Sequence, residues 1–306
     1  MSGAALLPVR GLAAAGREVV QMAARRSRRG GAAAVGPVLS AVRDDAWVLV
    51  TGASSGIGRA YAELLAEAGA QLLLTADDAA GLAEVAASTT RIGARSCDIL
   101  VADLSGTTGT AALLDWVAGR HVALLVNNAG VGAKGRFCQL PPDCYHEMVG
   151  VNLVAPVLVT RALLPQMLAR GSGAVIHVAS INALAPMPRS AVYSATKAFL
   201  LSYATAVWYE HREDGVVFQT VLPGTTATGF HDRQRTRVPS WAMQPRDVAH
   251  QSLARLGTAP VFVPGRVNRV LRRLGAMLPL ELRTAAAATV MTASLAVTDP
   301  GGHPDG

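Results

Sequence analysis

The sequence predicts an α/β fold, a single doubly wound parallel sheet of about seven strands with helices on both faces. Three observations carry that prediction. Residues 47–51, Trp-Val-Leu-Val-Thr, form a short apolar, β-branched run; glycines follow at 52, 56 and 58, and a strong helix former, Ala60 to Ala66, comes next. Strand-like runs then recur at 72–75, 122–126, 175–178, 216–222 and 261–263, with helix-length stretches between them. Such alternation implies parallel strands joined by crossover helices. The chain has 306 residues and is 51% apolar, enough for a large core. No repeat of solenoid period is present.

The first strand–turn–helix unit is the most specific of these elements. Glycines permit a tight turn and let the backbone approach a pyrophosphate, whose charge rests on the helix N-terminus. In Thr51-Gly52-Ala53-Ser54-Ser55-Gly56-Ile57-Gly58 this pattern follows a strand and opens a helix, the context a Rossmann-type dinucleotide site requires. An ordinary glycine-rich βα turn has the same letters. A second strand, Gln71 to Ala76, arrives on schedule and ends at Asp77-Asp78, which favours the dinucleotide reading. Asp77 is placed to accept hydrogen bonds from the adenosine ribose and to repel a 2′-phosphate, favouring NAD(H) while leaving NADP(H) open. Asp77 and Asp78 can also cap the helix that starts at Ala79.

Further on, Tyr193 and Lys197 stand four residues apart in Ser-Ala-Val-Tyr-Ser-Ala-Thr-Lys, thirteen residues after Ser180. On a helix, positions i and i+4 share a face, so the ammonium lies beside the phenol. A neighbouring cation favours phenolate and is expected to lower the tyrosine pKa toward neutrality. Taken singly, Tyr193 reads as a packed aromatic, Ser180 as a strand-end cap and Asn152 as a satisfied helix amide. Their company with the glycine turn changes that balance.

Together these segments resemble the short-chain dehydrogenase/reductase family, over about residues 46–265. Residues 51–58 look like its glycine motif. Asp103-Leu104 falls where the family places an aspartate near the adenine. Asn127-Asn128-Ala129-Gly130 is similar to its Asn-Asn-Ala-Gly motif after the fourth strand. Asn152, Ser180, Tyr193 and Lys197 match its catalytic asparagine, serine, tyrosine and lysine. Pro223-Gly224, with Thr226 and Thr228, resembles the segment that closes over the nicotinamide. The resemblance implies reversible hydride transfer between a nicotinamide and a carbonyl/alcohol pair. Tyr193 would be the proton donor and Ser180 a hydrogen-bond partner of the substrate oxygen. Lys197 would tune Tyr193 and bond the nicotinamide ribose, and Asn152 would anchor a water leading to Lys197. It also implies a homo-oligomer, dimer or tetramer. Two departures bear on the cofactor. Family members using NADP often carry a basic residue where this chain has Ser55 or Asp77. Those using NAD usually carry the acid one residue earlier, at Ala76. The rival class is a catalytically silent nucleotide-binding scaffold or sensor of the same fold.

The net charge of +7 is uneven. Residues 1–43 carry Arg10, Arg17, Arg25, Arg26, Arg28, Arg29 and Arg43 against Glu18, and the rest is close to balanced. Residues 1–45 therefore read as a flexible basic extension, somewhat like an organellar transit peptide, without the aromatics or base-reading motif of a specific nucleic-acid binder. No stretch is expected to reach the roughly 18 uncharged apolar residues that span a bilayer. Cys97, Cys138 and Cys144 lack metal-ligand spacing, so no metal site is expected; they read as free thiols of a reducing cytoplasm. His177 reads as a packed strand residue. Residues 266–298 form a C-terminal amphipathic extension in which Val267, Val270, Leu271 and Leu274 alternate with Arg266, Arg269, Arg272 and Arg273. Packing on the domain with arginines in water is the first expectation. Covering an apolar substrate mouth and resting on an anionic membrane surface are the other two. The loop 182–190, with Leu184, Pro186, Met187 and Pro188, points to an apolar carbonyl or alcohol substrate. Residues 299–306 read as a disordered tail.

Overall fold

The structure, a computed structural model, describes residues 46–230 and 238–296. The expectations for residues 1–45 and 299–306 lie outside the described residues.

Seven parallel strands form one sheet in the order β3-β2-β1-β4-β5-β6-β7. They are β1 (Trp47–Thr51), β2 (Gln71–Ala76), β3 (Ser96–Val101), β4 (Val122–Asn127), β5 (Gly173–Val178), β6 (Val216–Val221) and β7 (Val261–Phe262). Helices α1 (Gly56–Glu67), α2 (Ala79–Ile92), α3 (Thr107–Val117), α4 (Pro142–Val149), α5 (Ala155–Arg170), α6 (Ala191–Glu210) and α7 (Pro245–Leu253) join them. A π-helical turn, Gly150–Val154, links α4 to α5.

Side chains alternate across a strand, so β1 feeds two cores. Val48 and Val50 pack with Leu72, Leu74 and the α1 residues Tyr61 and Leu65 on one face. Leu49 packs with Leu73, Leu125 and the α5 residues Val159, Leu163 and Met167 on the other. The chain order reverses between β1 and β4, which pair directly. In an open parallel sheet, the crevice at such a reversal is where ligands sit. The turns after β1 and β4 meet there.

Two expectations are corrected. The run Pro142–Arg170 is long and apolar enough to span a bilayer, with an 18-residue window of mean hydropathy 1.6. More than half of that window is buried, and α5 contributes Val159, Leu163 and Met167 to the core. Its apolar character is that of a covered helix, polar on too few faces to stand free.

The second correction concerns the chain after β7. It forms α8 (Arg266–Ala276) and α9 (Leu280–Ala296). The expected packing, with apolar residues inward and arginines outward, does not occur in α8. Val267 is 72% exposed and Leu274 58%, with Val270 and Leu271 between them also in solvent. Asn268 and Arg269 face the domain instead. The Asn268 amide donates to the Pro264 carbonyl (3.0 Å), and Arg269 Nη1 to that of Val263 (3.1 Å). Both bonds run to the segment that leads into the helix; Asn268 also lies against Met243 and Gly224, and the apolar stripe is left outside.

Candidate active site

The cleft lies over the carboxyl ends of the strands and encloses about 350 Å³. Its floor is the turn after β1. Gly52 and Gly56 hold φ of +62° and +57°, a left-handed backbone that costs other residues about 1–2 kcal/mol. Space also excludes side chains there: a Cβ on Gly52 would meet Ala129 Cα at 2.8 Å, and one on Gly56 would meet Thr228 Cγ2 at 2.9 Å. The turn is tied to the end of β4. Thr51 Oγ1 accepts from the amides of Asn128 and Ala129, both at 3.0 Å. Asn128 Nδ2 donates to the carbonyls of Thr51 and Gly52, also at 3.0 Å. The importance of Thr51 was visible in the sequence only as the letter before the first glycine.

The N-terminus of α1 opens into this cleft without a side-chain cap at Ser55. Its free amides and dipole are a ready anion site. With the glycine geometry, they fit a dinucleotide pyrophosphate. Ser54, Ser55, Gly56 and Ile57 line that end, as do Asp77, Asp103 and Leu104. The two aspartates after β2 have separate jobs. Asp78 is the α2 N-cap, accepting from the Gly81 amide at 3.1 Å, whereas Asp77 lines the cleft. Asp103 is partly engaged, accepting from the Ser105 amide and hydroxyl, each at 2.8 Å.

Gly58 stands apart from the other residues of the turn. It does not line the cleft; a Cβ there would stand 2.1 Å from the Gly52 carbonyl oxygen. Its smallness lets α1 press against the turn, so it shapes the site from behind.

At the other end, Ser180, Tyr193 and Lys197 line the same cleft. Tyr193 and Lys197 share a face of α6, with Lys197 Nζ 5.8 Å from the tyrosine ring centroid. Ser180 caps the short 3-10 turn Ile181–Leu184, its hydroxyl accepting from the Asn182 amide at 3.1 Å, which fixes its orientation. Lys197 is 3% exposed, and its ammonium donates to the Val178 carbonyl at 3.1 Å. Burial lowers its pKa to about 8. The expected acidification of Tyr193 is not what this site shows: burial pushes the phenol up to about 12, and a hydrogen bond with Ser180 offsets only part of that. In a desolvated pocket the cost of the phenolate outweighs a cation that stands over the ring face.

Asn152 lies in the π-helical turn, buried behind the cleft wall. Its Oδ1 accepts from the Val131 amide (2.9 Å), and its Nδ2 donates to the Val131 carbonyl (2.8 Å) and to Thr196 Oγ1 (3.1 Å). The side chain thus clamps the loop after β4 to α6. π-Turns mark functional positions in many helices, here by turning Asn152 toward this loop. Pro223, Gly224, Thr226 and Thr228 complete the rim, with Thr228 over the glycine turn. Sequence reasoning missed Lys134, Phe230, Trp241 and Met291, which also line the cleft. They come from loops and from α9, where no periodicity or motif signals a site. Burial lowers the Lys134 pKa. His177 packs in the sheet against Asn127 (3.3 Å) and edge-on to Tyr203, with burial holding its pKa down to about 3.

A short chain dehydrogenase family model matches residues 46–238. The chain therefore belongs to that family. It is 33% identical over 220 residues to the "Inactive hydroxysteroid dehydrogenase-like protein 1" of Homo sapiens, covering 69% of this chain and 66% of that protein. It is 32% identical over 186 residues to the "Very-long-chain 3-oxoacyl-CoA reductase-A" of Danio rerio, covering 60% and 58%. The chain thus spans about two thirds or less of the length of these curated relatives. Among solved structures, a short-chain dehydrogenase from Sphingobium yanoikuyae in complex with NADPH is 28% identical, with a TM-score of 0.68 over 76% of this chain and 96% of that one.

Proposed function

We propose that residues 46–265 form an NAD(P)-dependent oxidoreductase that interconverts an apolar carbonyl compound and its alcohol. The observation that carries this reading is convergence: the Tyr193 phenol, the Ser180 hydroxyl and the Lys197 ammonium face one cleft with the uncapped α1 N-terminus and the glycine turn. Gly52, Ser54, Ser55, Gly56, Ile57, Asp77, Asp103 and Leu104 would hold the adenosine and pyrophosphate. Asn128, Ala129, Gly130, Pro223, Gly224, Thr226 and Thr228 would hold the nicotinamide half. When bound, the cofactor supplies hydride in the reducing direction and accepts it in the other.

The chain's own groups manage the substrate oxygen. With a pKa near 12, Tyr193 carries its proton at neutral pH and is set to donate it to that oxygen as negative charge develops. Ser180, held by the Asn182 amide, offers a second, preorganised hydrogen bond to the same atom. Lys197, at about 8, changes protonation near working pH and can return a proton toward Tyr193. Asn152 acts by position, keeping the β4 loop against α6. Met187, Phe230, Trp241 and Met291 make the substrate end apolar and support a hydrophobic substrate. Asp77, with no arginine among the described lining residues, supports NAD(H) over NADP(H).

The test is turnover of the purified chain with NADH and NADPH against apolar ketones and 3-oxoacyl thioesters, alongside dinucleotide titrations. Oxidation of NADH with a ketone supports the proposal. Dinucleotide binding without turnover of any substrate favours the silent-scaffold reading, which the names of the inactive relatives also favour. Tighter binding of NADPH than NADH would refute the role given to Asp77.

A further inference from the structure

The exposed stripe of α8 has no role in the reaction. Val267, Val270, Leu271 and Leu274 recur at helical spacing, and Met277 and Leu278 prolong the stripe past the end of the helix. All six are in solvent. Arg266 and Arg273, two turns apart, flank the stripe, and Arg272 is exposed as well; Glu281 is the single acid between residues 264 and 283. An apolar stripe bordered by guanidinium groups on a helix of low overall hydrophobicity matches an element that lies in a lipid interface.

The charge selects the occupant. A second copy docking through the same face would set its own arginines against Arg266 and Arg273. The 1–45 extension has seven arginines against Glu18, Asp44 and Asp45, so it carries the same sign as the stripe's border. The surface that complements a basic rim and accepts apolar side chains together is an anionic bilayer. The helical pair also adjoins the cleft rim. A Cβ on Gly224 would meet the Asn268 amide at 2.6 Å, Arg283 Nη1 donates to the Leu184 carbonyl at 3.0 Å, and Met291 of α9 lines the cleft itself.

We propose that α8 and the α8–α9 turn form a membrane-docking surface that rests in the headgroup region of an anionic bilayer. The docking surface stands on its own geometry and does not depend on the oxidoreductase reading. If that reading also holds, an apolar substrate would reach the cleft from the lipid rather than from water, since Met291 of α9 lines it and Asn268 of α8 stands against Gly224 at its rim.

The full chain is sedimented with vesicles of phosphatidylcholine alone or with phosphatidylserine added, at low and high salt. The expected result is binding to the anionic vesicles only, weakened by salt because the arginines are screened. L271D/L274D, which alters only exposed side chains, should bind the anionic vesicles about tenfold less while keeping the wild-type circular dichroism spectrum and dinucleotide affinity. Three results overturn the proposal. One is wild-type protein that stays in the supernatant with anionic vesicles. Another is an L271D/L274D variant that sediments like wild type, which would assign binding to the 1–45 extension. The third is a wild-type dimer that L271D/L274D converts to monomer with vesicle binding unchanged, which would make the stripe a contact between copies.

Discussion

At the cleft, polar side chains are buried and bonded; on α8, apolar side chains are bare. Asn152, Thr196, Thr51 and Lys197 lie out of solvent, yet each has a partner in the chain. Buried polar groups without partners cost about 1–3 kcal/mol each, so this network exists because each member satisfies another. Val267 and Leu271 break the opposite rule, since nothing among the described residues covers them. The first region is held in one arrangement and suits chemistry that needs fixed distances. The second has its bonding surface left over and suits an encounter. Perturbations should therefore act on activity and global stability at the cleft, and almost only locally on α8.

The largest effect is expected for Tyr193→Phe. Losing a positioned proton donor costs about 10²–10⁴-fold in turnover. The phenyl ring keeps its contact with Phe230, 5.6 Å between centroids, so the fold and dinucleotide affinity should hold. Single-turnover kinetics beside a binding titration separates the two. Undiminished turnover would remove Tyr193 from the chemistry and leave the cleft's order unexplained.

Gly58→Ala should come next. Its added methyl group would meet the Gly52 carbonyl oxygen at 2.1 Å and Asn128 Nδ2 at 2.5 Å, and both are held by the turn. Overpacking of this kind costs about 1–3 kcal/mol. Both the melting temperature and the dinucleotide affinity should fall, because the displaced atoms belong to the glycine turn proposed to hold the pyrophosphate. A variant with wild-type affinity would show that the turn yields more easily than its bonds imply.

His177 sharpens the comparison through pH. Its folded pKa of about 3 lies below the ordinary value of 6.5, so the unfolded chain binds the extra proton between those values. Stability then rises with pH across that window and is lost as pH falls from about 6.5 toward 3. The slope approaches about 1.4 kcal/mol per pH unit for one group. Urea unfolding at pH 7, 6 and 5 should show it, and His177→Gln should flatten it. An equal slope in that variant would place the acid sensitivity elsewhere.

The parts legible in sequence were those governed by local rules. β1 and β2 matched their apolar runs to the residue, and the glycine turn announced itself through positions only glycine can fill. β3 was illegible because it is an edge strand: Ile99 and Val101 are exposed and Asp98 sits mid-strand, so Ser-Cys-Asp-Ile-Leu-Val shows no clean pattern. The Tyr193 pKa was misjudged because spacing gives the distance to a cation but not the depth of burial. The roll of α8 was misjudged because Asn268, against Gly224 and Met243, takes the side that faces the domain. Residues such as Met291 and Trp241 reach the cleft by tertiary placement alone.

The smallest effect tests the second region. A Cβ on Gly275 would meet nothing within 4 Å, and Gly275 lies near the end of α8 without a positive φ. Alanine there removes glycine's helix penalty, worth about 0.8–1 kcal/mol. If α8 opens by itself, as an element lightly tied to the domain should, that gain belongs to local opening and not to global unfolding. Hydrogen exchange of the α8 amides should slow about four- to fivefold, the factor about 0.8–1 kcal/mol implies. The global melting temperature should stay where it is. A rise of several degrees would instead mean that α8 unfolds together with the sheet. The division between a rigid cleft and a loosely held surface would then fail, since a helix sharing the core's cooperativity would have to bury its stripe against the domain, and Val267 and Leu274 lie in solvent.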